Sequence, residues 1–212
     1  MGPITGLEGF LFKENQMSQY DQSIDYPEDL AAVNDMLAAI GEAAVNTLET
    51  DTNADVANAR RILDNVNREV QSKGWSFNIR KSEELSPDAI TGYIPYMQSY
   101  LRMQGAGGQM QYVKRGEYVW DTAARTDNFK SSITVDLTVL APFNEMPECF
   151  RAYIVTKASR RFNMFFFGAP EIEGHLAEQE EQQYRAIMEY ELDFGQFNML
   201  DGDAFVGGLL TR

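Results

Sequence analysis

The sequence predicts an α+β fold in which N- and C-terminal helix pairs form one helical bundle around an inserted antiparallel β region. Three observations support this class. Apolar residues recur every three or four positions up to residue 74, alternate with polar residues between 75 and 141, and return to helical spacing after Pro147. A period of 3.6 residues indicates helix and a period of two indicates strand. The chain therefore runs helices, then sheet, then helices.

Two helices are predicted before residue 75. The first spans Pro27 to Ile40 and stops at Gly41, because glycine adopts the left-handed conformation that ends many helices. The second follows Asp51 and Asn53, which suit a helix N-cap, and stops at Gly74. Its apolar residues recur in a heptad-like pattern for less than three heptads, which favours packing against another helix over a long coiled coil.

The β region is predicted from strict alternation. One half-buried strand covers 75–80, a hairpin covers 112–121 with its turn at Arg115-Gly116, and a further strand covers 133–139. The segment 93–101 contains a proline, so strand and irregular structure both stay open there. The glycines at 105–108 are interpreted as a loop, because no phosphate-binding Lys-Ser or Lys-Thr follows them.

Two helices of opposite charge are predicted after Pro147. The third has an apolar stripe and a basic surface, and it ends at Gly168. Its stripe consists of Phe150, Ile154, Ala158, Phe162 and Phe165 or Phe166, and its bases are Arg151, Lys157, Arg160 and Arg161. The fourth helix, 170–194, has eight acidic residues against one arginine, a net charge of −7.

The domain boundaries follow the same periods. We expect residues 1–16 to be an extension or cloning remnant with no fold of its own. Residues 17–74 and 146–195 are expected to form one discontinuous helical domain, 75–145 a β domain, and 196–212 a partner-binding tail. The tail is rich in large apolar side chains, which are unusual at a solvated chain end, while its glycines disfavour a helix.

Composition excludes several classes of protein. The 212 residues are 44% hydrophobic, which is enough for a packed core. A single cysteine, Cys149, and a single histidine, His175, allow neither an internal disulfide nor a Cys/His zinc site. A net charge of −14 opposes general binding to a DNA backbone. No apolar run approaches the roughly 20 residues that cross a bilayer, so no membrane insertion is expected.

The only weak candidates for catalysis are two carboxylates in the predicted hairpin. Glu117 and Asp121 lie beside Tyr118 and Trp120, and aromatic rings next to carboxylates are common in glycan sites. However, alternation sends the carboxylates to one strand face and the rings to the other. The favoured interpretation is therefore a core-facing aromatic pair with solvated acids. No metal or cofactor is expected.

Six ordered strings of sequence closely resemble the tail tubular protein A family of short-tailed double-stranded DNA bacteriophages. They are ANARRIL (57–63), GWSFNI (74–79), EMPECFR (145–151), TKASR (156–160), FFGAPE (166–171) and NMLDGDAF (198–205). The likeness extends over about residues 17–212 and is weaker over 83–130.

The resemblance implies a structural virion protein that forms a twelve-membered ring. Such a ring is the adaptor, or gatekeeper, between the capsid portal protein and the nozzle made of tail tubular protein B, and double-stranded DNA leaves through it. The resemblance also implies location in the phage tail and, during assembly, in the host cytoplasm. An adaptor with an added polysaccharide (glycoside) hydrolase activity stays open as the alternative.

Two sets of site residues are expected in such an adaptor. The portal contacts are expected in the tail, at Phe197, Met199, Leu200, Asp201, Asp203, Phe205, Leu209 and Leu210. The channel-lining candidates are Glu178, Glu181 and Glu189 of the fourth helix, whose charge would repel DNA. A second use for these acids is pairing with Arg151, Lys157, Arg160 or Arg161 of the preceding helix, within a subunit or between neighbours.

Overall fold

Helices and antiparallel strands share the chain, which confirms the α+β class. The computed structural model describes residues 27–48, 54–105 and 111–195. The helices there are α1 (Pro27–Ala39), α2 (Ala54–Ser72), α3 (Glu148–Phe166) and α4 (Pro170–Gly195), with a 3-10 turn at Phe143–Glu145. The strands are β1 (Ile79–Leu85), β2 (Tyr100–Gly105), β3 (Tyr112–Arg115), β4 (Tyr118–Asp121) and β5 (Ile133–Val139).

The helix α3 lies at the centre of the helical layer. It packs against α1, α2 and α4, and α1 also packs against α2. Its residues Lys157 and Arg161 bond Glu69 of α2 at 3.0 and 2.7 Å. Arg160 points away from α2 and bonds Glu173 and Glu180 of α4 at 2.6 and 2.9 Å. The layer therefore has α2 and α4 on different sides of α3; closure of the four helices into one bundle stays a prediction.

The core of the helical layer is apolar and aromatic. Its fully buried side chains include Met36, Leu37, Ile62, Leu63, Phe150, Ile154, Phe162 and Ile187. The Phe150 ring makes edge contacts with Trp75 and Phe77, at centroid distances of 5.1 and 4.7 Å. The segment after α2 thus belongs to this core.

The predicted strand 75–80 is wrong over its first four residues, which form a turn after α2. Gly74 ends the helix with φ +82°, and a Cβ there would lie 3.3 Å from Thr138 Oγ1, so only glycine fits without strain. Buried Asn78 then fixes the turn. Its Oδ1 accepts the Trp75 N–H at 2.8 Å and its Nδ2 donates to the Gln71 carbonyl at 2.9 Å. An asparagine that bonds the local backbone outweighs alternation.

The β region consists of an antiparallel three-stranded sheet and a separate hairpin. The sheet order is β1-β5-β2, and the hairpin pairs β3 with β4 around Gly116, as predicted. The segment left open at 93–101 is irregular up to β2, although Pro95 makes an isolated bridge to Tyr118. A second apolar core fills this region with Ile94, Met103, Val119, Val135 and Leu137.

The β region leaves and rejoins the helical layer at one place. Buried Gln71, at the end of α2, donates to the Ala141 carbonyl at 3.0 Å and accepts the Ala141 N–H at 2.8 Å. The Val139 N–H donates to the Asn78 carbonyl at 2.9 Å. At the same end of the layer, Glu191 of α4 accepts the Ser76 hydroxyl at 2.7 Å. The β region thus adjoins the C-terminal ends of α2 and α4. The predicted domain boundaries stay a prediction.

Candidate assembly surfaces

A groove of about 480 Å³ runs over α3 between α1 and α4. Small and apolar side chains such as Ala32, Ala152 and Val155 line it, and Glu28 and Asp35 of α1 are exposed on one wall. Two buried side-chain atoms of lining residues, Arg151 Nε and Gln183 Oε1, have no hydrogen-bond partner within the described part of the chain. Acids seven residues apart lie on one helix face, so the α1 wall presents a negative stripe.

The outward face of α2 has the opposite charge. Arg61 and Arg68 are exposed there, seven residues apart, on the face turned away from the core. Neither guanidinium makes an ion pair within 4.0 Å among the described residues. Burial raises the pKa of Asp64. The charges of Arg60 and Arg68 act on this carboxyl at longer range and offset that rise only in part. The two exposed arginines are therefore available to an external acid.

The basic residues of α3 are mostly used inside the chain, but only one reaches α4. Lys157 and Arg161 converge on Glu69 of α2, and Arg151 pairs with Glu148 in its own helix. Burial acts to raise the pKa of Glu69, but the hydrogen bonds from Arg161 and Lys157 outweigh it and hold that pKa below 4.5. The expected pairing between α3 and α4 is thus confined to Arg160.

The three channel-lining candidates lie on the exposed side of α4. Glu178, Glu181 and Glu189 are all exposed, and Arg160 bonds two other acids of the helix instead. Glu181 pairs with Arg185 one turn further along, at 2.5 Å. The side of α4 turned away from α3 is therefore acidic and solvated, and the use of these carboxylates in a channel stays a prediction.

The hairpin faces are reversed relative to the favoured interpretation. Val119 and Asp121 are buried, whereas Tyr118 is 40% exposed, so the aromatic side faces outward. Asp121 caps a turn: its Oδ1 accepts the N–H groups of Ala123 and Ala124 at 2.8 and 2.9 Å. Glu117 is exposed in the β3–β4 turn. Four residues of strand span about 13 Å, which is longer than a glycosidase carboxylate pair requires. The hairpin gives the hydrolase alternative no support.

The end of α3 presents an apolar patch that the sequence interpretation missed. Phe150, Ile154, Ala158 and Phe162 of the predicted stripe are buried, but Phe165 and Phe166 are 65% and 42% exposed. Met164 and Phe167 beside them are exposed as well. Helical spacing of apolar residues predicts burial only where the core lies beside the helix, and the last turn of α3 extends beyond the core. Contiguous exposed apolar side chains of this size are typical of interaction sites.

The predicted portal contacts cannot be placed in this fold. All eight of them, Phe197 to Leu210, lie outside the described residues, as do residues 1–16 and most of the glycine-rich loop. In the described ranges, no group of three or more His, Cys, Asp and Glu side chains could hold a metal ion. Among the helices described, none is both long and apolar enough to cross a membrane.

Opposed charged faces, an open groove and an exposed apolar patch are features of a protein that assembles with others. The family model of the tail tubular proteins matches residues 30–197, and the chain belongs to this family. It is a structural protein of a bacteriophage tail, which assembles with other tail and portal components of the virion. No curated protein matches the chain.

Proposed function

We propose that the chain is a ring-forming adaptor that joins the capsid portal to the tail nozzle, and that DNA leaves the capsid through the ring. The observation that carries the proposal is the family match over residues 30–197, most of the chain. The charged and apolar surfaces of a helical body support it, because a ring subunit needs contacts to copies of itself as well as to the components above and below it.

The acidic side of α4 suits the wall of a DNA channel. Glu178, Glu181 and Glu189 would face the passing duplex and repel its phosphates, whereas a basic wall would bind DNA in a salt-dependent way. The tail, 196–212, serves as the portal contact. Its apolar side chains would be buried on the portal, with Asp201 and Asp203 meeting basic or N–H groups, and each buried Phe or Leu contributes roughly 1.5–3 kcal/mol.

Mixing the purified chain with portal rings of the same virus tests this proposal. A chain of net charge −14 repels its own copies, so we expect a monomer or small oligomer alone and a twelve-membered ring on the portal. Native mass spectrometry and electron microscopy give the two readouts. A stable ring without portal would contradict conditional assembly, and failure to bind portal rings would contradict the adaptor.

Truncation after Gly195 tests the tail separately. We expect an unchanged circular dichroism spectrum and loss of portal binding, since the glycines of the tail disfavour a helix there. A variant without residues 1–16 is the control and should bind normally. Full affinity of the truncated chain would show that the tail is not the portal contact.

A further inference from the structure

We propose that in the ring the outward face of α2 of one copy docks in the groove between α1 and α4 of the next copy. The inference rests on the proposed ring and specifies the contact between its subunits. Its basis is the pairing of a basic helix face with a groove that has an acidic wall, on surfaces that the described residues of a single copy leave without a partner.

The two surfaces lie on opposite sides of α3. Lys157 and Arg161 of α3 point to α2, whereas Ala152, Thr156 and Ser159 line the groove on the other side. A contact between two different faces on opposite sides of a subunit is heterologous, so every copy can both give and receive one. Repetition of that contact gives a ring when the rotation closes.

The charges match in spacing. Arg61 and Arg68 of α2 are seven residues apart, and so are Glu28 and Asp35 of α1. Two helical turns separate each pair by about 10.5 Å along the axis. All four side chains are exposed, and none makes an ion pair within 4.0 Å among the described residues. Parallel helices can therefore align both arginines with both acids at once.

The charges also match in height. α1 ends at Ala39 and α2 at Ser72, and both ends adjoin the stretch 141–143. Glu28 and Asp35 lie eleven and four residues before the last residue of α1. Arg61 and Arg68 likewise lie eleven and four residues before the last residue of α2. A neighbour related by rotation about an axis along the helices thus needs no shift along that axis. Such a relation closes into a ring when the rotation angle divides a full turn, whereas a shift along the axis would give a helical filament.

Small side chains permit close approach of the helices. The α2 face around the arginines has exposed Ala54, Ala57 and Ser72, and the groove is lined with Ala31, Ala32 and Ala152. The distance between packed helices falls with the size of the side chains between them. The occupant whose charge and small side chains match the groove is therefore α2 of a second copy.

Charge reversal on each surface tests the contact. Variant A carries Arg61→Glu and Arg68→Glu, and variant B carries Glu28→Lys and Asp35→Lys. Each replaces two attractions by repulsions, so we expect about tenfold weaker pairwise association and no ring on portal rings with either variant alone. An equimolar mixture of A and B restores an acid–base pair at every contact, and alternating copies should form the ring again.

Two control variants distinguish an effect of the substituted site from an effect of the changed net charge. Lys81→Glu with Lys130→Glu changes the charge from −14 to −18, as A does, and Glu84→Lys with Glu117→Lys changes it to −10, as B does. All four positions are exposed and lie outside the proposed contact, so both controls should assemble. Thermal melting checks that every variant is folded.

The outcomes separate the inference from the function on which it rests. Loss of the ring in A and B with recovery in the mixture supports the contact. If A assembles like the wild type, or if the mixture does no better than A alone, the contact is wrong while the ring stands; α2 then faces another occupant, such as DNA. If the wild-type chain forms no ring on portal rings, the proposed function fails and the inference fails with it.

Discussion

Two buried amide side chains join the helical layer to the β region. Gln71 makes a reciprocal pair of hydrogen bonds with the backbone of Ala141, and Asn78 bonds the backbone at Trp75 and Gln71. Buried amides of this kind stabilise only when their donors and acceptors are satisfied. Their contribution is to fix one path for the chain at the crossing point.

Replacement of Asn78 by Ala should destabilise the protein by about 2 kcal/mol, because the buried Trp75 N–H loses its acceptor. Urea unfolding followed by tryptophan fluorescence measures the change in the free energy of unfolding. Asn65→Ala is the control: Asn65 is exposed on α2, and its loss should change that free energy by less than about 0.5 kcal/mol. Equal effects of the two variants would contradict the capping role.

Glu69 should make stability depend on pH in the acid range. Its pKa is lowered in the folded protein, so its contribution is present above the unfolded pKa, near 4.5, and is lost as the pH falls through the folded pKa. Glu69→Gln should therefore cost up to about 1 kcal/mol at pH 7 and almost nothing below the folded pKa. Urea unfolding at pH 7 and at successively lower pH tests this, because the difference between variant and wild type should shrink as the pH falls. Glu178→Gln, at an exposed carboxylate without an ion pair in the described fold, is the control and should change the free energy of unfolding at pH 7 by less than about 0.5 kcal/mol.

At the scale of elements, α4 is held more weakly than α3. Only Leu176 and Ile187 of its described residues are buried, whereas α3 buries eight residues. Regions with few buried contacts open more often, so amide hydrogens of α4 should exchange faster than those of α3. Ile187→Ala should cost about 2–4 kcal/mol and accelerate exchange in α4, while Leu192→Ala, at a 59% exposed site, should do neither. Equal exchange rates in α3 and α4 would contradict this order.

Sequence patterns predicted which segments form helices and strands better than they predicted which faces of these elements are buried. Periodicity located α1 to α4, the hairpin and β5, because each of these has a repeated apolar face. It failed at 75–78, where one asparagine bonds the local backbone, and at Phe165 and Phe166, where the helix outlasts the core. It also assigned the wrong side of the hairpin to the core, since alternation separates two faces without saying which is buried.

The acidic candidates were found from composition alone, but the groove was not predicted. Acidic residues within one predicted helix can be counted directly from the sequence, without a structure. The groove depends on how far apart α1 and α4 lie across α3, which is a tertiary distance. The match between its wall and the α2 arginines likewise requires the relative heights of two helices, which a linear pattern does not contain.

At the scale of the whole molecule, the assembled ring should repel DNA along the acidic side of α4. Rings with Glu178→Lys and Glu189→Lys should retain duplex DNA at low salt and release it as salt rises, because each added phosphate contact steepens the salt dependence. Filter binding at 50 and 300 mM salt measures retention. Glu117→Lys with Glu145→Lys, at two exposed acids elsewhere, is the control. Weak DNA retention by both variants would show that the acidic side of α4 faces away from the channel.

The neighbouring entry and exit of the β region have an evolutionary consequence. Because Gln71 and Asn78 hold the two chain crossings side by side, the helical layer constrains residues 79–139 at their ends and at β2, which packs against α2. We expect insertions, deletions or wholesale exchange within this region to leave helix register unchanged. Phages could then diversify one half of the subunit under selection from new hosts or new tail partners while the other half keeps its inherited geometry.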